Sequence, residues 1–274
     1  MSSPGSSTVR GVSGASRAAV LATVDSTEGD LGAVGDELFS VAAAFDDTPA
    51  VRRILTDPST EADARSGVAA SLLGDKVSAS TLAIVDTAAR GRWTGGRALS
   101  DAIEVAGLAA HVAAADRAGS LDTVETELFE AQRLIDGERE LRATLSDRTI
   151  PAERKATLVE TIFGGKVAPA TLALLRQAAA CRTGSFDAVL ERFADEVAAR
   201  RSRTLAEVRS AAPLADGELD RLQTALSAKY GRPVHVNTIV DPTIVGGLKV
   251  SIGDDVIDGT IAGRLEDARR QLAG

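Results

Sequence analysis

Three side chains in this 274-residue sequence could serve as a base, a thiolate nucleophile or a soft metal ligand: His111, His235 and Cys181. Catalysis needs such groups converging with partners that activate them, and their positions supply no such partner. His111 sits in an alanine-rich helical stretch and His235 in an alternating, strand-like one, so each reads as a packed or surface histidine. Cys181 lies near a helix end and reads as a small buried hydrophobe. Gly164-Gly165-Lys166-Val167 looks superficially like a phosphate loop. It lacks the first glycine at the required spacing, the Ser/Thr after lysine and a preceding strand, so a helix C-cap accounts for it better. Gly29-x-x-Gly32-x-x-Gly35 misses the dinucleotide-binding spacing for similar reasons. Asp241, Asp254, Asp255 and Asp258 match no calcium loop and each stands where a turn residue is expected. Arg200, Arg201 and Arg203 sit at a helix C-terminus, where the helix dipole favours cations. No catalytic residue, metal ligand or cofactor-binding residue is assigned.

The composition narrows the function classes further. Aromatic residues make up only 3%, too few for the base-stacking platforms of single-strand binders. The net charge of −8 has the wrong sign for a general phosphate-backbone binder, so no nucleic-acid partner is expected. One cysteine cannot form an intramolecular disulfide or a thiolate-rich zinc site. The longest near-apolar run, Val105 to Ala115, falls short of the roughly 20 residues a bilayer span requires, so no direct membrane span is expected. Met1 to Arg17 is rich in Ser and Gly without an apolar core, which reads as a disordered tail and not a signal peptide. These features suit a soluble, cytosolic chain.

What positions the side chains is a repeat. An ungapped shift of 90 residues aligns Leu31–Trp93 with Leu121–Thr183 at 19 identities in 63 positions. It places Glu37-Leu38-Phe39 on Glu127-Leu128-Phe129, Asp57 on Asp147, and Thr81-Leu82-Ala83 on Thr171-Leu172-Ala173. Leu31, Val34, Leu38, Val41 and Phe45 recur at helical spacing, as do Leu121, Val124, Leu128, Ala131 and Ile135. Thr48-Pro49 and Ile150-Pro151 mark helix starts, Gly164-Gly165 a helix end, and Ser78 and Pro169 the starts of equivalent helices running to about Arg90 and Cys181. Between Gly95 and Gly119, Leu99, Ile103, Leu108 and Val112 hold the 3.6-residue period, which predicts one helix shared by both copies.

After Arg203 the period changes. Glu218–Tyr230 is still helical, with Leu219, Leu222 and Leu226 on one side. Val234, Val236 and Thr238 alternate with His235, Asn237 and Ile239; Leu248, Val250 and Ile252 alternate with Lys249 and Ser251; and Gly253-Asp254-Asp255 leads into Val256-Ile257 as a hairpin. Thr260 caps a last amphipathic helix through Leu272. Residues 201–274 carry ten basic and ten acidic side chains, so the whole −8 lies in residues 1–200. The expected fold is mainly α: two tandem helical-bundle units sharing a junction helix, followed by a small C-terminal α/β domain. The expected divisions are a tail at 1–14, a first bundle at 15–105, a second at 106–203 and the α/β domain at 204–274.

The stretch Asp241 to Leu265 fixes glycine, aspartate and apolar positions together over 25 residues. Gly246, Gly247, Gly253, Asp254, Val256, Ile257, Asp258, Gly259, Gly263, Arg264 and Leu265 carry its pattern, with Thr260 where a serine is usual. It resembles the C-terminal signature of the delta subunit of F-type ATP synthase, the oligomycin-sensitivity-conferring protein family. Residues from about 105 to 274 resemble a complete ordinary member, including Asp147, the Pro151-Ala152-Glu153-Arg154-Lys155 helix start and Leu172. Residues 15–105 look like an extra N-terminal copy, as in actinobacterial relatives.

The resemblance implies a non-catalytic stator subunit of the peripheral stalk, without a cofactor, at the cytoplasmic face of the cell membrane as a peripheral part of the F1Fo complex. Its implied partners are the N-terminal helices of the α subunits and the C-terminal region of the b subunits. It would link the catalytic head to b so that rotor torque is resisted and proton flow stays coupled to ATP synthesis. Alanine-rich helices leave room for a partner's apolar anchors, so Leu174, Leu175, Ala178 and Ala179 are candidates for an α-binding groove; close packing inside the bundle is the other reading of these residues. Two further readings are a stand-alone helical-repeat adaptor and an enzyme with scattered carboxylates, neither of which requires the glycine–aspartate signature.

Overall fold

The computed structural model describes residues 11–180, 184–230, 234–252 and 255–260. The chain divides into two compact units: Met1–Ala115 with Thr123–Ala194, and Asp116–Asp122 with Asp195–Gly274. Both helical copies fall mainly in the first.

The first copy contains α1 (Val12–Ser26), α2 (Leu31–Asp47), α3 (Pro49–Leu55), α4 (Ala62–Leu73) and α5 (Ala79–Arg90). The long α6 (Gly96–Arg117) follows, and then α7 (Leu121–Gly137), α8 (Arg139–Ser146), α9 (Ala152–Phe163), α10 (Pro169–Ala180) and α11 (Phe186–Thr204). The helices obey the 90-residue shift: α2 maps onto α7, and α4 and α5 map end to end onto α9 and α10. Shifted likewise, α1 falls within α6. The junction helix expected between Gly95 and Gly119 is therefore α6, which closes the first copy and opens the second.

Apolar stripes drive this arrangement. Val34, Leu38, Val41 and Phe45 of α2 pack with Val20 and Val24 of α1, Ile84 and Val85 of α5, and Leu99, Ile103 and Ala106 of α6 in one buried cluster. In the second copy Leu121, Val124, Leu128, Ala131 and Ile135 of α7 are buried in their turn. By length and composition α6 could cross a membrane, but 67% of its most apolar window is buried within the protein. Its apolarity is that of a core helix. Gly35 and Gly107 let α2 and α6 approach closely, since a Cβ on Gly35 would come within 2.5 Å of the His111 ring and one on Gly107 within 2.7 Å of Phe39.

The same polar devices recur in both copies. The Glu37 carboxylate accepts from the Ser78 backbone N–H (2.9 Å) and hydroxyl (2.7 Å), fastening the start of α5. Glu127 does the same for α10, accepting from the Ala168 N–H (2.9 Å) and the Thr171 hydroxyl. Asp57 and Asp147 each accept from the backbone N–H and hydroxyl two residues on. Asp46 pairs with Arg52 at 3.1 Å, and Asp136 with Arg142 at 3.7 Å. Arg65 is buried and donates to the carbonyls of Asp57, Thr60, Ala89, Arg90 and Gly91, satisfying the last turn of α5. Its counterpart Lys155, also buried, donates to the Leu145 carbonyl.

Two expectations need correction. The Ser/Gly-rich stretch read as a tail is helical from Val12, because tertiary bonds hold it: Ser16 exchanges hydrogen bonds with the Arg92 backbone, and Ser13 accepts from the Thr94 N–H. Residues 1–10 lie outside the described residues. The α/β unit also contains a strand that the sequence reading lacked, β1 (Leu205–Ser210). It is central. The sheet order is β2-β1-β3-β4, with β2 (His235–Val240) parallel to β1 across α12 (Asp216–Tyr230), and β3 (Leu248–Ile252) antiparallel to both β1 and β4 (Asp255–Asp258). Ala206, Val208, Val250 and Ile252 bury one sheet face with Leu222, Leu226 and Tyr230 of α12. Leu219 stays outside that cluster, and Thr238 is exposed. The helix expected after Thr260 lies outside the described residues.

Replacing Arg65 with Met keeps the apolar stem but orphans five carbonyls. Urea unfolding should show a loss of about 3 kcal/mol, with Glu127→Ala costing about 1–2 kcal/mol as a lost cap. Trp93, the only tryptophan, whose indole N–H donates to the Ala88 carbonyl beside the Arg65 contacts, reports the first of these.

Candidate functional site

The side chains singled out for chemistry are structural where they are described. His111 is buried on α6, stacked on Phe39 at a centroid distance of 5.3 Å, with Nε2 3.4 Å from Asp36 Oδ1. The neighbouring His111 imidazole is the largest influence holding the Asp36 carboxyl below its ordinary value, against the opposing effect of burial. His235 opens β2; its side chain, like Cys181 and the side chain of Arg203, lies outside the described residues. Lys166 donates to the Ile162 carbonyl at 2.8 Å, and Gly165 takes a left-handed φ of 70°, so Gly164-Gly165-Lys166 is a helix end with no strand before it. Arg200 pairs with Asp116 at 2.8 Å and Arg201 with Asp122 at 3.4 Å. These arginines therefore bind specific carboxylates as well as sitting at the end of α11.

The groove proposed on α10 is corrected by burial. Leu174, Leu175, Ala178 and Ala179 are all buried. They are the bundle's own interior, apolar side chains packed against the neighbouring helices. The neighbouring Gln177 and Ala180 do line a surface cleft.

The glycine–aspartate segment has a definite geometry. Asp241 receives a turn of chain: its N–H donates to the Ser210 carbonyl at the end of β1, and its Oδ1 accepts from the Thr243 N–H (2.9 Å) and hydroxyl (2.6 Å). Asp258 repeats the device, its Oδ1 accepting from the Thr260 N–H (2.9 Å) and hydroxyl (2.6 Å). Threonine thus fills the place of the usual serine with its hydroxyl in use. Gly247 has a φ of 87°, and a Cβ there would fall against the carbonyl oxygen of Gly259. The Gly259 N–H in turn donates to the Leu248 carbonyl at 2.9 Å, joining the end of β4 to the start of β3. Within it Ile257 packs towards the sheet core, while Val256 points outwards with 58% exposure. Gly246 is half-buried. Gly253, Asp254, Gly263, Arg264 and Leu265 lie outside the described residues.

This arrangement orders backbone. It shapes a hairpin whose outer surface exposes Val256 (58%) beside the charged Lys249 and Asp258, with Val245 (84%) exposed on the loop before it. On the helical unit, Phe129 is 61% exposed although its repeat counterpart Phe39 is buried. Arg133 lies over the Phe129 ring at 6.0 Å. Sequence reasoning did not find Phe129, because an identical residue in an identical stripe carries no sign of which copy exposes it.

Comparison with known proteins follows the same lines. The family model for "ATP synthase delta (OSCP) subunit" matches residues 109–272, leaving the first copy outside. The ATP synthase subunit delta of Kineococcus radiotolerans is 43% identical over 269 residues, 96% of this chain and 98% of that protein. The subunits of Streptomyces griseus (40% identical, 95% and 96% covered) and Thermobifida fusca (44%, 88% and 90%) match at similar lengths, so these relatives span the first copy too. A chain of the Toxoplasma gondii mitochondrial ATP synthase hexamer covers 61% of this chain at 14% identity, with a TM-score of 0.33, too low to carry structural detail across.

Gly247→Ala should destabilise the α/β unit by about 3 kcal/mol, combining left-handed backbone cost and a backbone clash. Gly217→Ala, where a Cβ meets nothing within 4 Å on a helix, should be neutral or stabilise by up to about 1 kcal/mol. The environment of Tyr230, the only tyrosine, reports both. The threonine bonds, hydroxyl first, hold the Asp241 and Asp258 carboxyls below their ordinary value. Their stabilisation is complete above the unfolded pKa of about 3.9 and is lost as pH falls through the lower folded values. Denaturation midpoints measured from about pH 5 down to pH 2 should therefore fall less steeply in the Asp241→Asn/Asp258→Asn variant.

Proposed function

The chain belongs to the ATP synthase delta (OSCP) subunit family, and from that premise we propose how it works as a stator part of the peripheral stalk. One end of it holds the catalytic head and the other holds the b subunits, so that the torque of the rotor is resisted and proton flow stays coupled to ATP synthesis. The observation that carries this reading is the near-complete match to delta subunits at 40–44% identity, signature hairpin included. The fold suits the task. A static connector needs rigid elements and adhesive surfaces, and α6 supplies a continuous strut of about 33 Å through the junction of the two copies.

In this reading the chain itself catalyses nothing. It sits peripherally on the cytoplasmic side of the cell membrane as part of the F1Fo complex. The helical copies hold N-terminal helices of α subunits, the exposed Phe129 of the second copy serving as one apolar anchor, because apolar side chains left outside a packed bundle suit a helix-in-groove partner. The α/β domain at 204–274 meets the C-terminal region of b through the outer face of its hairpin, where Val245 and Val256 are exposed. A connector that outlasts many turnovers needs nanomolar attachment at each end, about −12 kcal/mol.

The test is a tagged chain recovered from solubilised membranes. Co-purification with the α, β and b subunits is expected, whereas recovery with soluble partners alone would favour the stand-alone adaptor. Removing residues 204–274 should release b and retain α. A truncated, folded chain that loses α would overturn this division of labour.

A further inference from the structure

The duplication creates a cleft that a single copy could not form. It lies within the helical unit, between the end of α2 (Ala42, Ala43, Asp46, Asp47), the first turns of α6 (Ser100, Asp101, Glu104), the start of α9 and the end of α10, with a volume of about 480 Å³. Five carboxylates line it, those of Asp46, Asp47, Asp101, Glu104 and Glu153, and among the described residues no basic side chain does. Asp46 pairs with Arg52 and Glu104 with Arg192. The C-terminal ends of α2 and α10 add negative potential to the cleft, and the N-terminus of α9 partly offsets it. Burial and the neighbouring Glu104 charge push the Asp101 carboxyl above its ordinary value, with Arg97 opposing them.

A second observation is independent of the charge. Ser100 is 2% exposed, lines the cleft, and has no hydrogen-bond partner for its hydroxyl. Ninety residues on, the equivalent position is Leu190, a fully buried apolar side chain. An orphaned buried hydroxyl is destabilising, and leucine shows what the repeat places there when only packing matters. The Ser100 hydroxyl, set in an acidic cleft, points to an absent donor.

We propose that this cleft between the copies binds a cationic side chain, foremost an arginine, presented by a helical segment of a partner protein. A guanidinium supplies several donors in one plane, enough for Ser100 Oγ and the Asp101 carboxylate together. The space accommodates one or two such side chains. No group of three acidic or histidine side chains among the described residues is close enough to hold a metal ion, which favours an organic cation. The proposal does not depend on the stator reading, since it concerns the charge and shape of this chain alone.

The test titrates the full chain, at low salt, with a synthetic alanine-based helix carrying arginines at i and i+4, and with its glutamine analogue. The arginine probe should bind and the glutamine probe should not. Ser100→Leu, which alters no charge, and Asp101→Asn should each weaken binding at least tenfold, while Glu61→Gln, a neutralisation on an exposed surface away from the cleft, should change it less than twofold. Asp101→Asn should also raise the melting temperature of the free chain by relieving repulsion, and Ser100→Ala checks the hydroxyl should leucine overpack the site. Equal weakening by Glu61→Gln and Asp101→Asn would reduce the effect to net charge and overturn the proposal. So would a photo-cross-linker on the probe that labels residues other than those of α2, α6, α9 or α10.

Discussion

One helix that is buried on almost every side sets the terms for the rest of the helical unit. From Leu99 to Asp116, α6 has no exposed residue. It must therefore satisfy two sets of neighbours at once, and small side chains are the solution. Ala102, Ala106 and Ala110 join the first core, and Gly107 admits the Phe39 ring. Because protein interiors are close-packed and transmit strain, a change of volume on this helix is felt in both copies. The copies therefore cannot move as beads on a flexible string, a property consistent with a part whose work is mechanical.

Around that helix, the repeat acts as an internal control on what each residue is for. Features kept in both copies hold the bundle together: the Glu37 and Glu127 caps, the Asp57 and Asp147 turns, the Asp46–Arg52 and Asp136–Arg142 pairs, and the buried cations Arg65 and Lys155. Other features differ between the copies. Phe39 is stacked against His111 whereas Phe129 faces outwards, and Ser100 replaces the apolar choice seen at Leu190. The hairpin of the α/β unit follows another logic. Its glycines and aspartates are spent on backbone geometry, so the pattern is strict without any residue in it being reactive.

The sequence by itself determined the helices, the repeat and the family. Helical periodicity and capping residues are local, and the 90-residue self-similarity places α2, α4 and α5 against α7, α9 and α10 without reference to any contact. The Asp241–Gly259 pattern is likewise contiguous, so it could be read as a loop, two strands and a turn before any geometry was known. Tertiary structure alone decided what touches what. Leu174, Leu175, Ala178 and Ala179 have the composition of a groove, but a side chain's burial depends on which face its helix turns to its neighbours. Leu205–Ser210 gave no signal strong enough to be read as a strand, because its identity comes from partners far along the chain, β2 on one side and β3 on the other. Helicity at Val12–Arg17 was hidden for the same reason, since the bonds that hold it reach Arg92 and Thr94. The acidic cleft was equally invisible, as four helices from two copies meet there and carboxylates far apart in the chain come to line one cleft only through the packing of those helices.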